Sequence, residues 1–147
     1  MHEHIDFPGR SAIKVKKRKE PGFTYPWHFH SEYELLYVID GTGTSFVADS
    51  IQPFDSGDLV LLGANLPHFW KNDDSYEVEG SQKKVKYIVI QFPDDFFYDQ
   101  ISKYPEFRLI ADLLDRSSRG IRFHPRVVAQ DSGLIQKITD IKGFERI

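Results

Sequence analysis

In the stretch "HFHSEYELLYVIDG", residues 28–41, two histidines stand one residue apart and a glutamate follows four residues after the second. Imidazole nitrogens and carboxylate oxygens are the donors left for a divalent cation in a chain that contains no cysteine. Side chains alternate faces along a strand, so His28, His30 and Glu34, all of even number, share one face with Leu36 and Val38 if the segment is extended. Polar groups on an apolar wall need partners, and a cation satisfies several at once. Of the other histidines, His2, His4, His68 and His124, only His68 lies on a β-like run of its own, "PHFWKN". His28, His30, His68 and Glu34 would offer three nitrogens and one oxygen to manganese, iron, nickel or zinc and leave open coordination positions. The competing reading is that the histidines hydrogen-bond Glu34 and line a pocket without metal.

The elements that must position these residues are short β-rich runs between about residues 12 and 92: "AIKVK", "YELLYVID", "TSFVA", "DLVLLG", "HFWKN" and "KYIVIQF". Gly, Pro, Asn and Asp separate them, which suggests an antiparallel sandwich or barrel. "DGTGT" at 40–44 reads as a hairpin and "DSGD" at 55–58 as a second turn. The period then becomes helical. Phe107, Ile110, Leu113 and Leu114 fall on one face, with Pro105 and Glu106 suited to a first turn and Gly120 to a stop. A second helix is expected from about Arg126 to Lys142, with an apolar stripe of Val127, Val128, Leu134, Ile135, Ile138 and Ile141, although Gly133 weakens it.

The chain of 147 residues is of single-domain length, with 40% hydrophobic and 28% charged residues, proportions of a folded protein. Its net charge of −3 argues against a direct grip on a phosphate backbone. The basic run "KVKKRK" at 14–19 reads as a solvated arm or a lysine-protected edge strand. The first thirty residues hold no apolar signal-peptide run and no stretch is long enough to span a bilayer, so a soluble cytoplasmic protein with no membrane partner is expected.

The anchors resemble the paired motifs of the cupin superfamily. Gly22, His28, His30, Glu34 and Gly41 agree with the first motif. Gly57, His68 and Asn72 keep the spacing of the second, in which Gly63 stands where proline is usual and Asn65 where glycine is usual. The resemblance implies a mainly β fold: a cupin (double-stranded β-helix, jelly-roll) barrel over residues 21–100, after an arm at 1–20 and before a helical segment at 101–147. From about residue 20 onward the chain also resembles the N-terminal sensing domain of AraC-type transcriptional regulators, in "HFHSEYELLYVIDGTGT", "GDLVLLGANLPHFWKND", "YIVIQFPDDFF" and "PEFRLIADLLDRSSRGIRF". That family implies a small effector in the barrel, a sugar or related metabolite, an arm over the pocket mouth and a homodimer through the helices. DNA would be read by a C-terminal helix-turn-helix pair that this chain does not include.

Trp70, which shares parity with His68, and Trp27 and Tyr37 are candidate aromatic contacts for an effector, beside His28, His30, Glu34 and His68. Core packing is the plainer role for Tyr37, whose parity is odd. The alternative function is a small metal-dependent enzyme, a dioxygenase or sugar isomerase. No further acid or base has a position that marks it as catalytic, and the helical tail has no use in a minimal enzyme, so a non-enzymatic sensor is expected.

Overall fold

A computed structural model of the chain describes residues 1–5, 13–24 and 26–137. Among the described residues eight strands form two antiparallel sheets: β1 (Lys14–Glu20), β2 (Tyr33–Asp40), β3 (Gly43–Val47), β4 (Ser50–Phe54), β5 (Leu59–Leu62), β6 (His68–Asn72), β7 (Val85–Phe92) and β8 (Ile121–Arg122). The larger sheet has the order β1-β7-β2-β5-β8 and the smaller β4-β3-β6. Helices α1 (Tyr98–Lys103), α2 (Arg108–Arg116) and α3 (Pro125–Lys137) follow. The fold is mainly β, as the cupin resemblance implies, with a helical C-terminal segment. The sheets face one another without closing into a continuous barrel among the described residues.

Alternation along β2 and β7 explains their unbroken apolar runs, because both faces of the central strands are covered. Leu36 and Val38, with Val85, Tyr87 and Val89, point between the sheets into a core shared with Phe54, Leu62 and Trp70. On the outer face Tyr37, Leu59, Ile88 and Ile90 pack with Val128 of α3, and Ile135 joins them. Each fully buried aliphatic side chain of this kind contributes about 1.5–3 kcal/mol. α3 therefore splits the expected stripe. Val128 and Ile135 turn to the sheet, whereas Val127 and Leu134 are exposed. Ile138 and Ile141 lie outside the described residues.

The turn at 40–44 differs from the expected hairpin. β2 pairs with β5 and β7, whereas β3 pairs with β4 and β6, so "DGTGT" carries the chain from one sheet to the other. The actual hairpin is β3–β4, closed through Ala48 at φ 50. β4 is easy to miss in the sequence because it contains Pro53, which has no N–H for a ladder and suits only an edge such as this one. The basic run forms β1, an edge strand paired to β7 from Lys14↔Gln91 to Glu20↔Val85, so regular pairing begins at Lys14.

The two departures from the second cupin motif have a local cause. Gly63 donates its N–H to Ser117 O at 2.8 Å, a bond proline cannot make, and a Cβ there would stand 2.6 Å from that oxygen. Asn65 holds φ at 61, the left-handed region that Asn tolerates better than most residues, and its N–H donates to His30 O at 2.6 Å.

Candidate functional site

β6 and the segment before β2 bring the histidines together. His28 and His68 exchange backbone hydrogen bonds, His28 N–H to His68 O at 3.2 Å and His68 N–H to His28 O at 2.9 Å, which sets their rings side by side. Glu34 follows on β2, facing inward opposite Gln91 of β7. The motif anchors Gly22 and Asn72 hold the backbone around the site. Asn72 accepts the Phe23 N–H at 2.7 Å and donates to Thr42 O at 3.1 Å, and a Cβ on Gly22 would stand 3.2 Å from its Oδ1.

His28, His30 and His68 are buried and place ring nitrogens within 4.8 Å of one another. In each ring Nδ1 meets a backbone carbonyl: Pro26 O at 2.7 Å, Glu32 O at 3.0 Å and Leu66 O at 2.7 Å for His28, His30 and His68 respectively. A carbonyl can only accept, so every Nδ1 carries its proton and the Nε2 lone pairs are what remain. Those of His30 and His68 turn to Glu34, at 3.2 Å and 3.5 Å.

Lone pairs facing a carboxylate repel unless a positive charge stands among them. A proton on His30 is one solution. Burial opposes it, but the hydrogen bond and charge of Glu34 prevail and raise the His30 pKa above its ordinary value. Burial would likewise push Glu34 up; the hydrogen bond from His30 and the imidazoles of His30 and His68 beside it outweigh this and hold the carboxyl well below the usual range. That solution leaves His68 Nε2 buried without a hydrogen bond, a defect worth about 1–3 kcal/mol. A divalent cation held by His28, His30, His68 and Glu34 satisfies all of the nitrogens, and rings oriented through Nδ1 to carbonyls are how metal-binding imidazoles are usually fixed. The residues present fit a metal; one bound there would supply charge and open coordination positions to a ligand.

Beside the histidines a cavity of about 590 Å³, counted to its open mouth, is lined from both sheets. His28, Glu34, His68 and Trp70 lie on its wall. His30 sits behind them, 1% exposed. Trp27 and Tyr37 do not line it. Tyr37 is on the outer face of β2, as its odd number dictates, in the core under α3. Trp27 packs edge-on against Phe69 and is 41% exposed. Sequence reasoning passed over several wall residues: Phe23 and Tyr87, tilted together at 4.7 Å, Gln91, which donates to Glu34 at 2.8 Å, and Lys16 and Arg18. Register was the missing signal, because Lys16 and Arg18 stand opposite the inward Val89 and Tyr87 only once β1 pairs with β7. Glu3 reaches the same wall from an N-terminal segment bonded to Phe29, its carboxylate 3.5 Å from His28 Nε2.

Residues 13–118 match the family of AraC-like ligand binding domains. Among solved structures the chain resembles ToxT from Vibrio cholerae O395 bound to (E)-4-(8-methylnaphthalen-1-yl)but-3-enoic acid, at 11% identity and a TM-score of 0.53, over 90% of this chain and 51% of that one. Another structure of ToxT from Vibrio cholerae gives 11% identity and a TM-score of 0.51, over 85% and 48%. A cupin protein from Bacteroides fragilis gives 13% identity and a TM-score of 0.48, over 58% and 70%. At such identities the likeness is one of fold, and the chain spans about half the length of ToxT. No curated protein matches the sequence. Through residues 13–118, which include both halves of the histidine site and the cavity wall from β1 to β7, the chain belongs to the family of AraC-like ligand-binding domains.

Proposed function

We propose that the chain is the effector-sensing domain of an AraC-type transcriptional regulator and binds a small metabolite, a sugar or related compound, in the cavity beside His28 and His68. The observation that carries this reading is a cavity with an aromatic wall of Phe23, Trp70 and Tyr87 and a polar wall of His28, His68 and Gln91, in a domain of a ligand-binding family. Rings offer faces for C–H groups and the polar wall orients hydroxyls. ToxT, of like fold, is known with a small organic acid bound. In this reading residues 101–147 form the dimerisation and linker segment, and DNA is read by a helix-turn-helix region of the regulator. His28, His30, Glu34 and His68 would hold a divalent metal, zinc, nickel, manganese or iron, which would supply charge and open coordination positions to the effector.

The second reading, a small metal-dependent enzyme, draws on the same histidine and glutamate cluster. It asks for an acid or base beside the metal that has its own work to do; Glu3 and Glu20 are the remaining carboxylates on the wall, and Glu20 already accepts the Tyr87 hydroxyl at 3.0 Å.

A thermal-shift screen against a metabolite library tests the sensing function. At least one compound is expected to stabilise the protein saturably, and Trp70→Ala to weaken that stabilisation at least tenfold. Turnover of the stabilising compound by the metal-loaded protein would favour the enzyme, and a library without a single stabilising compound would refute sensing.

A further inference from the structure

β1 has an unusual inner face. Lys14, Lys16, Arg18 and Glu20 stand opposite Gln91, Val89, Tyr87 and Val85, so every residue that this edge strand turns toward the space between the sheets is charged. Lys16 and Arg18 both line the cavity, Lys16 half-buried and Arg18 at the exposed mouth. Among the described residues neither has a carboxylate within 4.0 Å. Burial pushes the Lys16 amine below its ordinary pKa and the Lys14 charge adds to this, while Glu3 opposes it, as expected of a cation short of a counter-ion.

Inward charge on an edge strand also discourages pairing with a second molecule. Lys17 and Lys19, on the other face, already supply that protection, and it does not require cations on the wall of a cavity opposite Trp70 and Phe23.

The carboxylates of the wall are largely answered. Glu34 is matched within the histidine cluster, and Glu20 accepts the Tyr87 hydroxyl. Glu3, carried on the N-terminal segment, shows that the wall admits a carboxylate near His28. Gln91 donates its amide to Glu34 and is left with a buried Oε1 that has no hydrogen-bond partner among the described residues, an acceptor suited to a hydroxyl.

We propose that the effector is a small hydroxylated carboxylic acid, of the sugar-acid class, whose carboxylate is held by Lys16 and Arg18 of β1 while a hydroxyl reaches Gln91 and its carbon skeleton lies against Trp70 and Phe23. This deepens the effector-sensing function and rests on it. An uncharged sugar would leave both cations without a partner, which is the basis of discrimination. An arriving carboxylate also competes with Glu3 for the positive wall, so binding of the acid and seating of the N-terminal segment oppose one another.

The test is calorimetric titration of the full chain with glucuronate, galacturonate and gluconate, each beside its uncharged counterpart glucose, galactose or glucitol. At least one acid is expected to bind saturably, with its neutral counterpart at least tenfold weaker. Lys16→Met should weaken that acid about tenfold or more without lowering the melting temperature of the free protein, and Lys16→Arg should retain binding. Neutral sugars binding as well as or better than the acids would overturn the charge assignment and leave effector sensing intact. Acid binding that survives Lys16→Met together with Arg18→Met would overturn it also. If no acid binds, the proposal fails, and the metabolite library then decides separately whether the cavity senses anything.

Discussion

At the scale of single residues, the histidine cluster is set by three short-range bonds. Each Nδ1 donates to a carbonyl two residues away, so the tautomers are chosen before anything enters the site. The spacing marked His28, His30 and Glu34 as a group, but the single extended strand expected for them is broken by a bend at residues 31–32, so the two histidines precede β2 and only Glu34 stands on it. Tyr37, a candidate effector contact, lies instead in the outer core, the plainer role its odd number allowed. What parity could not give was Gln91, Lys16 and Arg18, whose place on the wall depends on which strand β7 and β1 pair with, a fact of long-range register. If a metal occupies the cluster, the wild-type protein should retain close to one equivalent through purification, measured by elemental analysis, and His30→Ala with His68→Ala should retain none. Stripping the metal with a chelator should lower the melting temperature by several degrees, because His68 Nε2 is then left without a partner. A wild-type protein that carries no metal and melts at the same temperature with or without chelator would show that a proton on His30 alone balances Glu34.

At the scale of elements, the strands whose apolar or alternating runs are bounded by turn residues were the readable ones. β2 and β6 start and end where the sequence patterns placed them, because their ends coincide with turn residues. β4 escaped because its residues are almost all exposed and include Pro53, so neither periodicity nor propensity marks it. The turn after β2 departs from the hairpin its residues suggest because a glycine-rich turn looks alike whether it reverses a chain within one sheet or passes it to another. Gly63 links the second motif to the segment after α2, and this coupling can be measured. Gly63→Pro, the residue usual in the motif, should destabilise the protein by about 2–4 kcal/mol in urea unfolding, through the lost bond to Ser117 and the crowding of its carbonyl. Amide exchange should rise over residues 108–120 more than over β2 and β7. A neutral Gly63→Pro would mean that the segment docks on the sheet by other contacts. In the outer core, Ile88→Ala, at a residue of 0% exposure, should cost about 2–5 kcal/mol.

At the scale of the whole molecule, the five-stranded sheet separates two tasks. Its inner face lines the cavity and carries Glu34, and its outer face seats α3. An effector that orders β1 or β7 from the inside therefore acts on the strands against which α3 packs, a direct route from ligand to the helical segment. The apolar residues that α3 leaves exposed are Val127 and Leu134, at 51% and 68% exposure, so an interface between two copies should be sensitive there. Val127→Glu with Leu134→Glu is expected to give monomers in sedimentation velocity while keeping the melting temperature within a few degrees. Ile135→Glu should instead unfold the protein, because Ile135 packs into the outer core. An unchanged mass for the double variant would remove α3 from the interface.

A small metabolite bound between the sheets would be reported directly by the two tryptophans of the chain. Trp70 lines the cavity and is 6% exposed, whereas Trp27 lies outside it against Phe69. In a ¹⁵N-labelled protein their indole N–H groups give two separate signals. On titration with a stabilising metabolite, the Trp70 indole signal should move saturably and that of Trp27 should stay nearly still. Movement of Trp27 alone, or saturable binding that leaves both signals in place, would contradict a ligand seated in the cavity.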